Sequence, residues 1–222
     1  ESLKFNKKTR GKDIRFALKM IKGVAERALV ALAQFKTEHS NKIDLFDAAK
    51  ESKLNISVLS ALLACGALDS QIVQGTRARL ILEAQTYNLL TDKEKRAVRE
   101  HAKNHDMDVL ATLSFLKSAN GADGKPYIKD SRWETIQKKY APFKEVYLNN
   151  APHSKLCNFV MERKMIGYSY SGGGLYEIYS GGPNTQNLMP IQKVLEAEEG
   201  ESVEFMAVIT VIKQWKSKKG NQ

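Results

Sequence analysis

IRFALKMIKGVAERALVAL, Ile14 to Leu32, is the stretch whose reading decides the fold. Apolar residues recur through it at helical spacing, at Ile14, Ala17, Leu18 and Ile21 and then at Val24, Ala28 and Leu32. Gly23 interrupts the pattern, and a helical glycine costs about 1 kcal/mol relative to alanine. Two physical reasons could place it there. A continuous helix could tolerate it so that a neighbour packs closely. Alternatively the helix ends, the glycine lets the backbone turn tightly, and a second helix starts at once with its unbonded N–H groups aimed at whatever lies against the turn. In that case residues 13–22 form the first helix, Gly23, Val24 and Ala25 the hairpin, and residues 26–35 the second helix. Val24 then anchors the turn in the core, and Lys19, Lys22 and Arg27 surround a phosphate site.

The surrounding charge favours the hairpin. Residues 1–22 hold eight Lys and Arg against two acids, Glu1 and Asp13, and the chain as a whole carries a formal charge of +10. Clustered cations release condensed counterions from a phosphate backbone, so nucleic acid leads the expected partners and an anionic membrane surface follows. The chain has 222 residues, 42% of them apolar, which suits one large or two smaller globular domains. No apolar run approaches the roughly 20 residues of a membrane span, and the N-terminus does not read as a signal peptide, so a soluble, cytoplasmic protein is expected. Cys65 and Cys157 lie far apart in apolar sequence and read as small core residues in a reducing compartment.

Outward from the hairpin the pattern stays helical. DLFDAAKES and LNISVLSALLACGALDS form a second unit, with Ser57 as a cap for a helix over 58–64 and Gly66 as its stop. The turn Cys65, Gly66, Ala67 is the weak internal repeat of the Gly23 turn, and Arg77 and Arg79 beyond it are candidate phosphate contacts. Residues 74–105 read as two helices broken at Thr91 and Asp92, a good N-cap pair, and residues 106–119 add a short helix. Asn120 to Pro126 is a loop by composition. Pro142 and Pro152 suggest short helices separated by turns, and Gly172 to Gly174 and Gly181 to Pro183 a glycine-rich junction. Val203 to Ile212 then alternate as a strand of about ten residues. That strand has no returning partner before the sequence stops, so the chain is expected to be a piece of a larger protein.

Little here promises catalysis. Asp106, Met107 and Asp108 resemble a metal-holding Asp-x-Asp pair, but they sit between two helical patterns, where an Asp caps a helix start. His101 and His105 are four apart without a third ligand and read as a solvated helix end. SGGGLYE does not have the spacing of a dinucleotide-binding loop. No catalytic residue, metal or cofactor is expected in these 222 residues.

The quoted segment resembles the helix-hairpin-helix region of bacterial C-family replicative DNA polymerases, the polymerase III alpha subunits, with their Ile-Arg-aromatic start and Ile-Lys-Gly-Val-Gly turn. LFDAAKES followed by LSALLACGALDS is similar to the next segment of that family, and ERKMIGYSYSGG, residues 162–173, to a later one. The terminal strand and KSKKG fall where the family begins its OB domain. Ala25 stands where the family has a second glycine, Gly173 and Gly174 stand where it has His-Pro, and the insert NGADGKPYIKD has no counterpart, which suggests a divergent member, such as one encoded by a phage.

The resemblance implies a mainly α chain: a tandem helix-hairpin-helix module over 1–75, a helical connector over 76–150, a glycine-rich junction over 151–202, and the first strand and turn of a truncated OB domain over 203–222. It implies duplex DNA held without sequence reading by Lys19, Lys22, Gly23, Val24, Ala25, Arg27, Cys65, Gly66, Ala67, Arg77 and Arg79. It further implies contact with a sliding clamp and other replisome subunits. Gln85 to Leu90, or Asp106, Met107, Asp108, Val109 and Leu110, are weak matches to the clamp peptide. The palm aspartates and their Mg2+ would lie upstream. The rivals are a helix-hairpin-helix module of DNA repair or recombination and a basic RNA-binding or scaffold domain.

Overall fold

The computed structural model describes residues 8–9, 12–13, 17–35, 39–69, 75–122, 124–150, 154–170, 189 and 191–205. They belong to two compact units, Glu1–Ser171 and Gly172–Gln222. The expected boundaries at 75/76 and 150/151 fall inside the first unit.

The first unit opens with an antiparallel pair, β1 (Lys8–Thr9) and β2 (Lys12–Asp13), in which Lys8 faces Asp13 and Thr9 faces Lys12. Asp13 is therefore in a strand and does not begin the expected first helix. Among the described residues of that stretch the helix is a single 3-10 turn, Leu18–Met20, preceded by Ala17, which is extended (φ −70°, ψ 132°) and has no side-chain oxygen to cap it. So short a helix also has too little propagation to offset its nucleation cost. After the glycine comes α1 (Ala28–Gln34).

Most of the next helices start where side-chain oxygens cap them. Asn41 accepts from Ile43 and Asp44 N–H to start α2 (Lys42–Glu51). Asn55, not Ser57, caps α3 (Ile56–Ala64), taking the Ser57 N–H at 2.8 Å. Thr76 caps α4 (Arg77–Asn88), and Thr91 with Glu94 forms a capping box on α5 (Asp92–His101). α3 buries Val58, Leu59 and Ala61 to Ala64 and packs on α4. Helices apolar on all faces belong at the centre.

α4 is the spine of the unit and also meets α2, α6 (Val109–Ser118), α7 (Asp130–Asn150) and α8 (Ser154–Ile166). α7 corrects the expectation of short helices: it runs unbroken through Pro142. Packing on α4 through the buried Ile136, and the bonds Arg132 makes to Glu94 and to the Leu89 carbonyl, outweigh the missing N–H. The Asn120 insert closes as a tight loop, with Gly121 N donating to Lys125 O at 2.8 Å and Ile128 fully buried behind it. Among the described residues, no helix is long and apolar enough to cross a membrane.

In the second unit, α9 (Ile191–Leu195) is the described helix, and Met189 N donates to Glu204 O at 2.8 Å. Val203–Phe205 form no strand pairing among the described residues, and the rest of the expected OB strand, with KSKKG, lies outside them. The glycine-rich segment 172–183 also lies outside them.

Candidate nucleic-acid interface

The Gly23 turn is built from two buried anchors and an exposed crest. Ile21 and Val24 are in the core, and Val24 N donates back to Ile21 O at 3.0 Å, closing the turn. Lys22 N donates to Met165 O at the end of α8, 2.8 Å away, so a helix far along the chain fixes the turn. Gly23 has φ +94°, and a Cβ there would touch only Ala61 Cβ, 4.0 Å away. The glycine is required by backbone conformation and not by crowding. Ala25 is not in the left-handed region, so alanine stands there without strain.

Lys19, Lys22, Gly23, Ala25, Glu26 and Arg27 are all exposed. Among the described residues, the amides of Gly23, Ala25 and Glu26 have no acceptor. Three cations and unpaired main-chain donors on one exposed turn suit an anion with several acceptor oxygens, and a phosphate diester is such an anion.

The Gly66 turn is different. Gly66 also has positive φ (+74°), and Ala67 N bonds back to Leu62 O at 3.0 Å. Its outer face, however, is covered: a Cβ on Gly66 would lie 2.1 Å from Arg77 Nη2 and 2.2 Å from Tyr170 Oη. Tyr170 Oη donates to Cys65 O at 2.8 Å, which fills the carbonyl position of the turn. Arg77 is nearly buried and bonds Asp69 through Nε at 3.0 Å, and it also pairs with the fully buried Glu162. Glu162 in turn accepts from Ser169 Oγ at 2.7 Å and Tyr170 N at 2.8 Å. Burial alone would lower the guanidinium pKa of Arg77, but the bonds from Asp69 and Glu162 raise it above its ordinary value. Cys65 and Ala67 are buried, and burial pushes the Cys65 thiol up to about 11, so it stays protonated.

Arg79 is likewise held inside the unit. It donates to Glu83 at 3.0 Å and to Asp108 at 2.6 Å, with its guanidinium 5.6 Å from the Tyr147 ring. Of the eleven residues expected on DNA, the structure brings Lys19, Lys22, Gly23, Val24, Ala25 and Arg27 together, and it engages Cys65, Gly66, Ala67, Arg77 and Arg79 in internal contacts.

Asp108 caps α6, accepting from Leu110 and Ala111 N–H at 2.8 Å each. Asp106 and Met107 have positive φ (52° and 58°), and Val109 is fully buried. The segment Asp106 to Leu110 is thus a packed helix start and presents no extended peptide. Tyr87 and Leu90, in the other weak match to the clamp peptide, are buried too. His101 is not solvated as expected: its Nε2 meets Tyr127 Oη at 3.1 Å, and its ring and that of His105 pack on Phe115. No group of three or more His, Cys, Asp or Glu is arranged to hold a metal among the described residues.

The residues that sequence reasoning missed are those that brace the turns, namely Met165, Glu162, Tyr170 and Asp69. Only the position of ERKMIGYSYSGG flagged that segment, and nothing local in it shows that it returns to the two glycine turns. In a comparison with protein families, residues 2–80 fit a model described as a helix-hairpin-helix motif, spanning both glycine turns and the start of α4. That motif supports a DNA-binding module. No curated protein and no solved structure matches the chain.

Proposed function

We propose that this chain holds duplex DNA by its phosphates, without reading sequence, as part of a replicative DNA polymerase of the C family. The carrying observation is the exposed Gly23 turn, with Lys19, Lys22 and Arg27 around unpaired amides, inside residues that fit the helix-hairpin-helix motif. The polymerase assignment rests on the ordered likeness of IRFALKMIKGVAERALVAL, LFDAAKES, LSALLACGALDS and ERKMIGYSYSGG. In this reading the palm, its aspartates and Mg2+ lie upstream, and the chain positions primer-template behind them. Docking to a sliding clamp would use another peptide than Asp106 to Leu110, since Val109 is buried.

The test is fluorescence anisotropy of a labelled duplex of about 20 base pairs, its single strand and an RNA duplex, at low and moderate salt. Tightest binding to duplex DNA, equal across sequences and weakening with salt, is the expected result. Gly23→Val forces a β-branched residue to positive φ and reshapes the crest. It is expected to weaken duplex binding about tenfold while far-UV circular dichroism stays unchanged. Equal affinity of variant and parent would remove this turn from the interface. An upstream reading frame with no Asp-x-Asp strand would remove the polymerase and leave the binding module.

A further inference from the structure

A second charged cleft lies away from the glycine turns, between the end of α2 and the first half of α5. Asp47, Lys50, Glu51, Asp92, Lys95, Arg96 and Arg99 line a cavity of about 270 Å³. Most of its acids are already matched. Asp47 accepts from Tyr87 Oη at 2.9 Å and from Arg99 at 2.7 Å, and Asp92 pairs with Lys50. Glu51 remains at the exposed rim.

Two cations are left over. Arg96 is exposed and makes no ion pair among the described residues. Lys95 is the telling one: it is only 6% exposed, yet among the described residues its ammonium makes no ion pair and no hydrogen bond, although Asp47 and Asp92 lie near enough to attract it. Its ammonium lies 5.1 Å from the centre of the Tyr87 ring, a weak substitute for a counter-charge. The stem of Lys95 is packed while its ammonium opens on the cleft, where a charged ligand can reach it. Burial, with the like charge of Lys50 adding to it, lowers the pKa of Lys95 despite the opposing attraction of Asp47 and Asp92. An anion in the cleft would relieve both effects.

We propose that this cleft is a phosphate-binding site, separate from the Gly23 turn, in which Lys95 and Arg96 hold the oxygens of a phosphoryl group with Lys50 and Arg99 in support. The cavity is at the small end for an organic ligand and lined by charge, which suits a compact anion. Lys supplies a point charge and Arg a planar fork of donors, the two modes by which proteins hold phosphate. The same chemistry comes from a free phosphoryl compound or from the backbone of a bound nucleic acid.

The experiment is an amide chemical-shift titration of the labelled full chain with sodium phosphate at fixed ionic strength, with chloride as control. Saturable shifts confined to residues 47–51 and 92–99 are expected. Affinity should fall about tenfold in Lys95→Met and several-fold in Arg96→Gln. Arg96→Gln alters an exposed side chain and decides the matter if Lys95→Met does not fold. Shifts that match the chloride control, or that saturate equally in parent and both variants, overturn the site. A parallel titration with the DNA duplex identifies the source. Movement of the same amides, lost in the two variants, assigns a backbone phosphate. If phosphate moves them and the duplex does not, the ligand is a free phosphoryl compound. Gly23→Val does not touch the cleft, so its effect on duplex binding is read independently.

Discussion

At the scale of single residues, the two turn glycines differ in what replaces them badly. Gly66→Ala must place a methyl at φ +74° and against Arg77 Nη2, 2.1 Å away, and Arg77 cannot swing aside without leaving Asp69 and Glu162. A loss of roughly 2–4 kcal/mol in urea unfolding is expected, combining left-handed strain with the cost of disturbing a buried ion pair. Gly23→Ala has no such neighbour and is expected to cost only about 1–2 kcal/mol. Equal losses at the two positions would show that Arg77 does not enforce the second turn. Arg77→Ala breaks the buried ion pair with Glu162 and should cost about 3–5 kcal/mol. Because Arg77 points inward, the folded fraction of that variant is expected to bind duplex DNA like the parent. The Gly23 site was legible in the sequence because its signals are local: a glycine, its apolar neighbours and three flanking cations. The closure of Gly66 was not legible, since Tyr170 and Glu162 reach it from about a hundred residues away in the chain.

At the scale of elements, capping decides where helices begin, and the capping box of α5 is the clearest case. Thr91 takes the Glu94 N–H while Glu94 reaches back to Thr91 N at 2.7 Å. Thr91→Ala is expected to lower stability by about 1 kcal/mol. Glu94 and Asp108 also make the unit acid-sensitive. Burial raises both carboxyl pKa values, but Arg132 with the Thr91 amide, and the Ala111 amide with Arg79, bring them below their ordinary values. Carboxyls depressed in the folded state add stability that is complete above their unfolded pKa near 4 and is lost as pH falls through the lower folded value. Urea midpoints are therefore expected to drop below about pH 4, and to drop less in Arg132→Met, which starts from a lower plateau. The capped helices α4, α5 and α6 were legible to within a few residues, because Thr91, Asp108 and the apolar periods are signals of local backbone chemistry. α7 was not, because a proline's local cost says nothing of the packing that opposes it. Pro142 is exposed, so Pro142→Ala restores a main-chain bond without opening the core and is expected to stabilise the chain by about 1–3 kcal/mol.

At the scale of the whole molecule, a charge of +10 does not by itself place a polyanion, because it does not say which cations are paired inside the fold and which stand exposed. Arg77, Arg79, Arg99 and Arg132 each pair with carboxylates of other segments, whereas Lys19, Lys22 and Arg27 form no ion pair among the described residues. Composition could show the excess of cations but not this division, since which arginine meets which acid depends on the tertiary fold. The division has a measurable consequence. Each phosphate neutralised contributes a slope of about −0.9 to the plot of log binding constant against log salt. The three cations of the Gly23 turn are therefore expected to give a slope of about −2 to −3 for duplex DNA, far shallower than the net charge would suggest. Lys22→Ala and Arg27→Ala should each reduce its magnitude by about one, while Arg79→Met should leave it unchanged among folded molecules. A slope that steepens well beyond −3 would mean that further cations reach the backbone, and its loss in Lys95→Met would point to the α2–α5 cleft as the second contact. A slope near zero in the parent would mean that the exposed charge serves only to solvate the turn, and the helix-hairpin-helix crest would then need a partner other than a phosphate backbone.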